Sequence, residues 1–410
     1  MTKIFTGLFI AALLIINLPN SFASENKTTV NLKSQSRLWL TDRSNISFTL
    51  EETSGGGISN AEVEISKTAL LGRSAIRSII KKQSAVEYTS IFETTTVEQN
   101  ENFFTFTMPG SKWQFNGAGT YVLRLTVYVR GEAQKINSFI SFLPKAIKLN
   151  KLKVSTVLPL VVNSGLIPSN GVLNDDAANA FLDGKGLNSV LNLGSGIKNV
   201  TWLIDSDTLR LAQNLAAGSS IAHPEIHDST PEQIEGAQAW LDQLPDNINS
   251  ENTFAIPTAN VDVVALKDAK INRIASLAIS DSQYVSDYFD GESFQRITVA
   301  ARGDYSDFGF EWLKSKQIAF NLLNSDAYPA QSSTYTPNGV VQDGLGDKAP
   351  VIDRYASKLF SEAIGSEKNS GMYQAAFAAD LLITALEQPA LDRFVVLQPN
   401  TNQANLTDEK

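Results

Sequence analysis

The sequence predicts a multidomain protein: an all-β immunoglobulin-like sandwich over 28–145, then an α/β, (β/α) barrel-like domain over 152–400, whether regular, distorted or incomplete. Three observations carry this. Period-two alternation of apolar and polar residues dominates before residue 145. Continuous apolar strands alternating with helical segments dominate after residue 152. And 410 residues without one cysteine must be held by core size rather than by cross-links, a length that supports two cores.

The chain opens as an export signal. Lys3 supplies the positive start, Ile4 to Leu18 is apolar apart from Thr6, Gly7 and Asn17, and the small residues "SFA" precede Ser24. The run is short for a bilayer span, so residues 1–23 are expected to be cleaved. No other segment is apolar enough to span a membrane, which makes the expected location extracellular or envelope-associated.

Strand follows strand from Thr28. "RLWLTDRSNISFTLEE", "AEVEIS" and "FFTFTM" alternate. In "GTYVLRLTVYVRG", Tyr121, Leu123, Leu125, Val127 and Val129 share one face. Gly55-Gly56-Gly57, Pro109-Gly110 and Gly117-Ala118-Gly119 punctuate them. "LLGRSAIRSIIKKQSAV" reads as a helical insertion, and 145–152 as a linker. Strands are then expected at 153–162, 199–205, 252–257, 296–301, 317–323 and 393–399, with a further short one at 273–279. Helices are expected over 175–191, 206–217, 231–244, 260–269, 304–315, 351–364 and 371–387. Residues 401–410 read as a disordered tail.

Composition excludes several functions. Without cysteine there are no disulfides, thiolate nucleophiles or cysteine metal sites. A net charge of −9 argues against nucleic acid. No G-x-G-x-x-G or Walker motif follows a strand, so no cofactor is expected. No G-x-S-x-G occurs, which disfavours a serine hydrolase.

In a parallel barrel the functional side chains stand at the carboxyl ends of strands. That rule selects Asp205 and Asp207 after "VTWLI", Asn260 and Asp262 after "FAIP", and Arg302 and Asp304 after "ITVAA". It also selects Asn324 and Asp326 after "IAFNLL", and Asn163 after the first strand. Paired rim carboxylates suit glycosidic acid/base chemistry, with Asp205, Asp262 and Asp304 as the catalytic candidates. Asn163, Asp207, Asn260, Arg302 and Asp326 are the ligand-binding candidates. The structural alternative is capping: Asp205 or Ser206 for the helix at 206, Asn260 for that at 261, with Asp262 in its first turn, and Asp304 for that at 305. The word Arg302-Gly303-Asp304 sits at such a junction and reads as part of it. Trp202, Trp240 and Trp312 read as core, while Trp39 and Trp113 stay open.

Both histidines, His223 and His227, lie in "SSIAHPEIHDSTPEQ". Pro224 pushes His223 towards extended backbone. Thr230, Pro231 and Gln233 mark a helix start downstream. The pair therefore falls in a loop, up to ~13 Å apart if extended. They are weak metal ligands unless the loop folds back on Asp205 or Asp228.

Words in fixed order after residue 150 carry a resemblance: "LPLV" (158–161), Asp175-Asp176, "GKGL" (184–187), "VTWLIDSDTL" (200–209), "AQAWLDQL" (237–244), "AIPTANVDVVAL" (255–266), "YTPNG" (335–339) and "RFVVLQP" (393–399). The order resembles a family of uncharacterised exported, usually membrane-anchored actinobacterial cell-envelope proteins, a domain of unknown function. Genes of that family often lie near one for a lipid II flippase-like protein. The resemblance implies a distorted barrel of the glycoside hydrolase and polysaccharide deacetylase kind and an envelope location, but no activity. The chain departs from the family at Asn260, where its acidic turn usually has Asp. It also stops at Lys410 without the family's later β-rich region and membrane segment.

The expectation is an exported envelope protein without catalysis, binding a glycan or a membrane-protein partner of cell-wall assembly at the barrel rim. The alternative is a carbohydrate-active enzyme, a glycoside hydrolase or polysaccharide deacetylase, using Asp205 and a second rim carboxylate.

Overall fold

The structure, a computed structural model, describes residues 30–162, 175–182, 186–222, 226–299, 307–325, 335–342, 348–366 and 368–400. The expected signal segment and the tail at 401–410 lie outside them.

The first part holds β1 (Val30–Gln35), β2 (Trp39–Leu40), β3 (Ile46–Glu52), β4 (Ile58–Ser66), α1 (Arg73–Ile80), β5 (Tyr88–Thr94), β6 (Glu98–Asn100), β7 (Phe103–Met108), β8 (Gly119–Val129) and β9 (Glu132–Phe142). They form two sheets, ordered β1-β3-β7-β6 and β2-β9-β8-β4-β5. Every pair is antiparallel except β2 with β9. The alternation expected from sequence explains the packing. On β3, Ile46, Phe48 and Leu50 are buried while Ser47, Thr49 and Glu51 are half-exposed. These side chains meet Leu123, Leu125 and Val127 of β8 in one core between the sheets. Tyr121 closes a corner, its hydroxyl donating to Gly117 O at 2.9 Å and accepting from Asn116 N at 3.1 Å.

The second part runs β10 (Leu152–Leu160), α2 (Asp175–Ala178), α3 (Gly186–Ser195), β11 (Val200–Ile204), α4 (Ser206–Ala216), β12 (Ser220–Ala222), β13 (Ile226–Asp228) and α5 (Pro231–Asn247). It continues with β14 (Thr253–Ala255), α6 (Val263–Asp268), α7 (Asn272–Asp281), α8 (Gln283–Tyr288), β15 (Gln295–Arg296), β16 (Thr298–Val299), α9 (Asp307–Ser315) and β17 (Asn321–Asn324). It ends with β18 (Val340–Gln342), β19 (Lys348–Ile352), α10 (Arg354–Gly365), α11 (Ser370–Glu387) and β20 (Arg393–Leu397).

Its main sheet has the order β15-β14-β11-β10-β20-β19-β17-β16, parallel throughout. The two ends of that order are halves of one stretch, parted only by Ile297. Ile297 N donates to Ala255 O at 3.0 Å on one side, and Thr298 N to Phe320 O at 3.3 Å on the other. The ladder thus comes round on itself. Inside stands a ring of apolar side chains: Val157, Leu203, Ile256, Ile297, Leu322, Ile352 and Val396, all buried. Each comes from a different stretch of wall, as strand alternation requires of a barrel interior. The outward residues Leu158, Leu160, Trp202 and Ile204 pack instead under the helices with Leu191 and Trp240.

Three expectations are corrected here. Residues 273–279 are not a strand but belong to α7, whose buried Ala275, Ala278 and Ile279 recur at helical spacing. Residues 348–352, expected to be loop and helix start, form the wall strand β19, with β18 paired antiparallel to it. The helix expected over 175–191 is broken into α2, a 3-10 turn and α3. Among the described residues no helix is long and apolar enough to cross a membrane.

The two parts share a core. Val122 and Phe139 on the outer face of the five-stranded sheet, with Ile76 and Ile79 of α1, pack on Ala375, Ala376, Ala379 and Ile383 of α11. That contact explains why Val122, on the outer face of β8, is fully buried. At its edge α11 comes so close to β1 that a Cβ on Gly371 would lie 2.8 Å from Ser34 N and 2.9 Å from Lys33 O. Backbone atoms cannot step aside as a side chain can. Gly371→Ala is expected to cost about 1–3 kcal/mol of stability, read by thermal unfolding. An unchanged melting temperature would mean that the helix sits further from the sheet.

Candidate functional site at the barrel rim

Asp205 ends β11 on the strand's inward face, two residues beyond Leu203 of the buried ring. It is fully buried and caps α4, its Oδ1 accepting from Thr208 N at 3.0 Å. The Thr208 hydroxyl in turn accepts from Val162 N at 2.8 Å, tying the ends of β10 and β11 together. Asp205 Oδ2 is buried and has no hydrogen-bond partner among the described residues. Burial pushes this carboxyl up from its ordinary 3.8 to about 6; the Thr208 hydrogen bonds oppose the shift, and the neighbouring Asp207 adds to it.

Beside it lies a polar network that bridges neighbouring strand ends. Ser206 follows β11, and Thr258 follows β14. Their hydroxyls are 2.6 Å apart, and both donate to Asp281 Oδ2, at 2.8 and 2.7 Å. Arg210, one turn into α4, donates to both Asp281 oxygens at 2.7 Å. Its guanidinium also lies 4.2 Å over the Tyr284 ring. The Tyr284 hydroxyl bonds Gln213. Hydrogen bonds from Arg210 above all hold Asp281 well below the usual carboxylate range. Asp207 pairs more loosely with Arg210, at 3.7 Å, and its carboxyl is raised by burial. Asp207, Arg210 and Asp281 side chains are each about a third exposed, at 32, 37 and 36%. The network is therefore fixed in place and open to solvent.

The other expected residues divide clearly. Asp262 is the cap of α6, accepting from Ala265 N at 2.9 Å. The capping role expected of Asn260 therefore belongs to Asp262. Asn260 is exposed, with φ 46°, next to Ala259 at φ 57°. Asn163, Arg302, Asp304, Asp326 and His223 lie outside the described residues. His227 is not in an open loop. It sits on β13, in a two-stranded ladder with β12. Its Nε2 lies 3.6 Å from Asp175, not beside Asp205, and its Nδ1 2.9 Å from Asp228 O. The capping box of α5 is formed as the sequence predicts, by Thr230 and Gln233. Among the described residues no cluster of three His, Asp or Glu side chains could hold a metal. Trp202, Trp240 and Trp113 are buried, and Trp39 is exposed.

Sequence reasoning missed Asp281 and Arg210, because one stands at the end of a helix and the other inside one. It missed Arg73 as well. That side chain reaches from α1 into a cleft of about 1000 Å³ between α1 and α10. It pairs there with Asp380 and Asp353. The helix-end position of Asp281 points away from a rim role, since the turn after a barrel helix is normally far from the carboxyl ends of the strands, and no local signal could have found it.

No family profile and no curated protein matches the chain. Many solved structures show loose likeness, and three serve as examples. The endo-beta-1,4-mannanase of Thermotoga petrophila has 8% identity and a TM-score of 0.19, over 31% of this chain and 22% of its own. The alpha-amylase AmyC of Thermotoga maritima has 10% identity and a TM-score of 0.35, over 62% and 68%. A family 123 glycoside hydrolase of Clostridium perfringens has 10% identity and a TM-score of 0.22, over 74% and 69%. The chain thus spans about a fifth of the mannanase's length. Superpositions this loose carry no weight for chemistry; the barrel stands on its own strand order.

Proposed function

We propose that this is an exported, non-catalytic protein of the cell envelope that binds a wall glycan at the barrel rim, held on an immunoglobulin-like sandwich. One observation carries the proposal: the part-exposed rim carboxylate Asp281 is held in place by Ser206, Thr258 and Arg210. A carboxylate that Arg210 holds well below the usual carboxylate range is a poor proton donor or acceptor at the pH of use. As a fixed array of acceptors and donors it suits sugar hydroxyls, which need prepositioned partners on both sides. Asp205 supports the reading as a buried cap. The sheet orders β1-β3-β7-β6 and β2-β9-β8-β4-β5 with the Tyr121 corner support the immunoglobulin-like assignment. The export segment and the envelope family that the sequence resembles supply the location.

The test is a glycan array, followed by calorimetry on the best ligand, with Arg210→Ala alongside. Binding is expected to weaken at least tenfold in the variant with the circular dichroism unchanged. Equal binding by the variant, or no wall glycan retained by the wild type, would count against the rim.

The second reading, a carbohydrate-active enzyme, rests on Asp205 itself. Its raised carboxyl and unpartnered Oδ2 are what a general acid would have. Hydrolysis or deacetylation of an array glycan, lost in Asp205→Asn, would establish that reading in place of the first.

A further inference from the structure

The barrel has a second opening, at the amino-terminal ends of its strands, opposite the rim. There a cavity of about 680 Å³ enters the interior, a size in the range of small-ligand sites, roughly 300–1,000 Å³. Its base is the buried ring, through Val157, Leu203, Ile297, Leu322 and Val396. Above the base the inward positions of the same strands carry Phe254, Phe320 and Phe394, all half-buried and lining the space. Phe254 and Phe320 pack edge to face, 5.0 Å between centroids.

The lip is different in kind. Lys151 and Lys153 stand at the start of β10, and Asn199 just before β11. Lys153 Nζ lies 4.9 Å over the Phe394 ring, so the cation leans across the mouth rather than away from it. Among the described residues no acidic side chain lines the cavity, and the charged ones that do are these two lysines. On a chain of net charge −9 that is a local reversal. In the space itself the chemistry is deep and apolar, ending in aromatic faces and then in positive charge.

We propose that this cup binds the tail of a single-chain anionic amphiphile, a fatty acid or an equivalent acyl or prenyl anion, with its head group at Lys151 and Lys153. The apolar wall desolvates the chain. Its carboxylate or phosphate stays at the water boundary, where the lysine ammonium groups meet it without being buried themselves. A neutral apolar molecule would gain the wall but not the lip, and a cationic amphiphile would meet repulsion there. This site is separate from the rim and stands whether or not the rim binds a glycan.

Calorimetric titration of the purified protein with sodium dodecanoate tests the proposal, with dodecyltrimethylammonium as the matched cation. Expected is saturable one-to-one binding of dodecanoate, at least tenfold tighter than that of the cation. Lys153→Glu is expected to weaken dodecanoate at least fivefold and to narrow or reverse the preference. Ser155→Trp, directed into the cup from β10, is expected to abolish binding. Thr201→Phe on the neighbouring strand does the same job should the first variant fail to fold. Absence of saturable binding, equal affinity for anion and cation, or full dodecanoate affinity in a folded cup-filled variant would each overturn the proposal.

Discussion

Replacing Arg73 with alanine is expected to cost about 3–5 kcal/mol of stability, the usual penalty for stripping one partner from a buried ion pair. The guanidinium is bonded on two sides. Its Nε and Nη2 donate to the two oxygens of Asp380 at 2.6 and 2.7 Å. Its Nη1 and Nη2 reach Asp353 at 2.7 and 2.9 Å. Asp380 sits mid-way along α11 with its side chain 1% exposed. Asp353 is the cap of α10, accepting from Ala356 N. One side chain of the sandwich thus neutralises two carboxylates of the barrel domain. Without it, two negative groups face each other in a site that water barely reaches.

The same variant should respond to acid in a defined direction. Burial pushes Asp380 up, although Arg73 pulls it down. A carboxyl raised in the folded state contributes stability below its unfolded value and loses it as pH rises through the folded one. Without Arg73 that loss deepens, so Arg73→Ala should be least stable at neutral to basic pH and recover towards pH 4–5. Asp380→Asn on the Arg73→Ala background should recover part of the loss at pH 8. Denaturant unfolding of the single and double variants reads this. A loss under about 1 kcal/mol would place the pair among solvent-screened surface bridges instead.

Local order was legible in the sequence; pairing across distance was not. The alternation of 121–129 gave β8 its inward face, and the cap of α5 could be read from Thr230, Pro231 and Gln233 because a capping box is complete within four residues. β19 was hidden by Pro350, which lacks the ladder donor and demotes a run that otherwise reads as a strand. Pro350 stands opposite Val340 of the short antiparallel β18, where the ladder bond is donated by the next residue, Val351 N to Gly339 O at 2.8 Å. The apolar run 273–279 is short enough to fit either period, and only the burial of Ala275, Ala278 and Ile279 resolves it as helix. At the site, the strand-end rule found Asp205 but not its neighbours. Arg210 and Asp281 are 71 residues apart in the chain, and Arg73 and Asp380 are 307 apart. No local pattern marks such partners, because what brings them together is the closure of the barrel and the seating of α11 on the sandwich.

Asp205→Asn should change how stability depends on pH, more than it changes stability at any one pH. The wild-type carboxyl stands at about 6 when folded against an ordinary 3.8, a gap of roughly two units or about 3 kcal/mol. The sign follows from burial. Below the unfolded value the group is protonated in both states and costs nothing. Between the two values the folded state holds a proton that the unfolded state has released, so folding becomes less favourable as pH rises. Above about 6 the folded protein keeps a bare carboxylate with one unpartnered oxygen. Asparagine keeps an acceptor for Thr208 N, as caps allow, but has no charge to bury. The stability difference, variant minus wild type, should therefore climb by on the order of 2–3 kcal/mol between pH 3.5 and 7.5, whatever its value at the acid end. Urea unfolding across that range measures it. A flat difference would mean that the Asp205 carboxylate is solvated in the folded protein, and the capping role assigned to it would then give way to an open, reactive one.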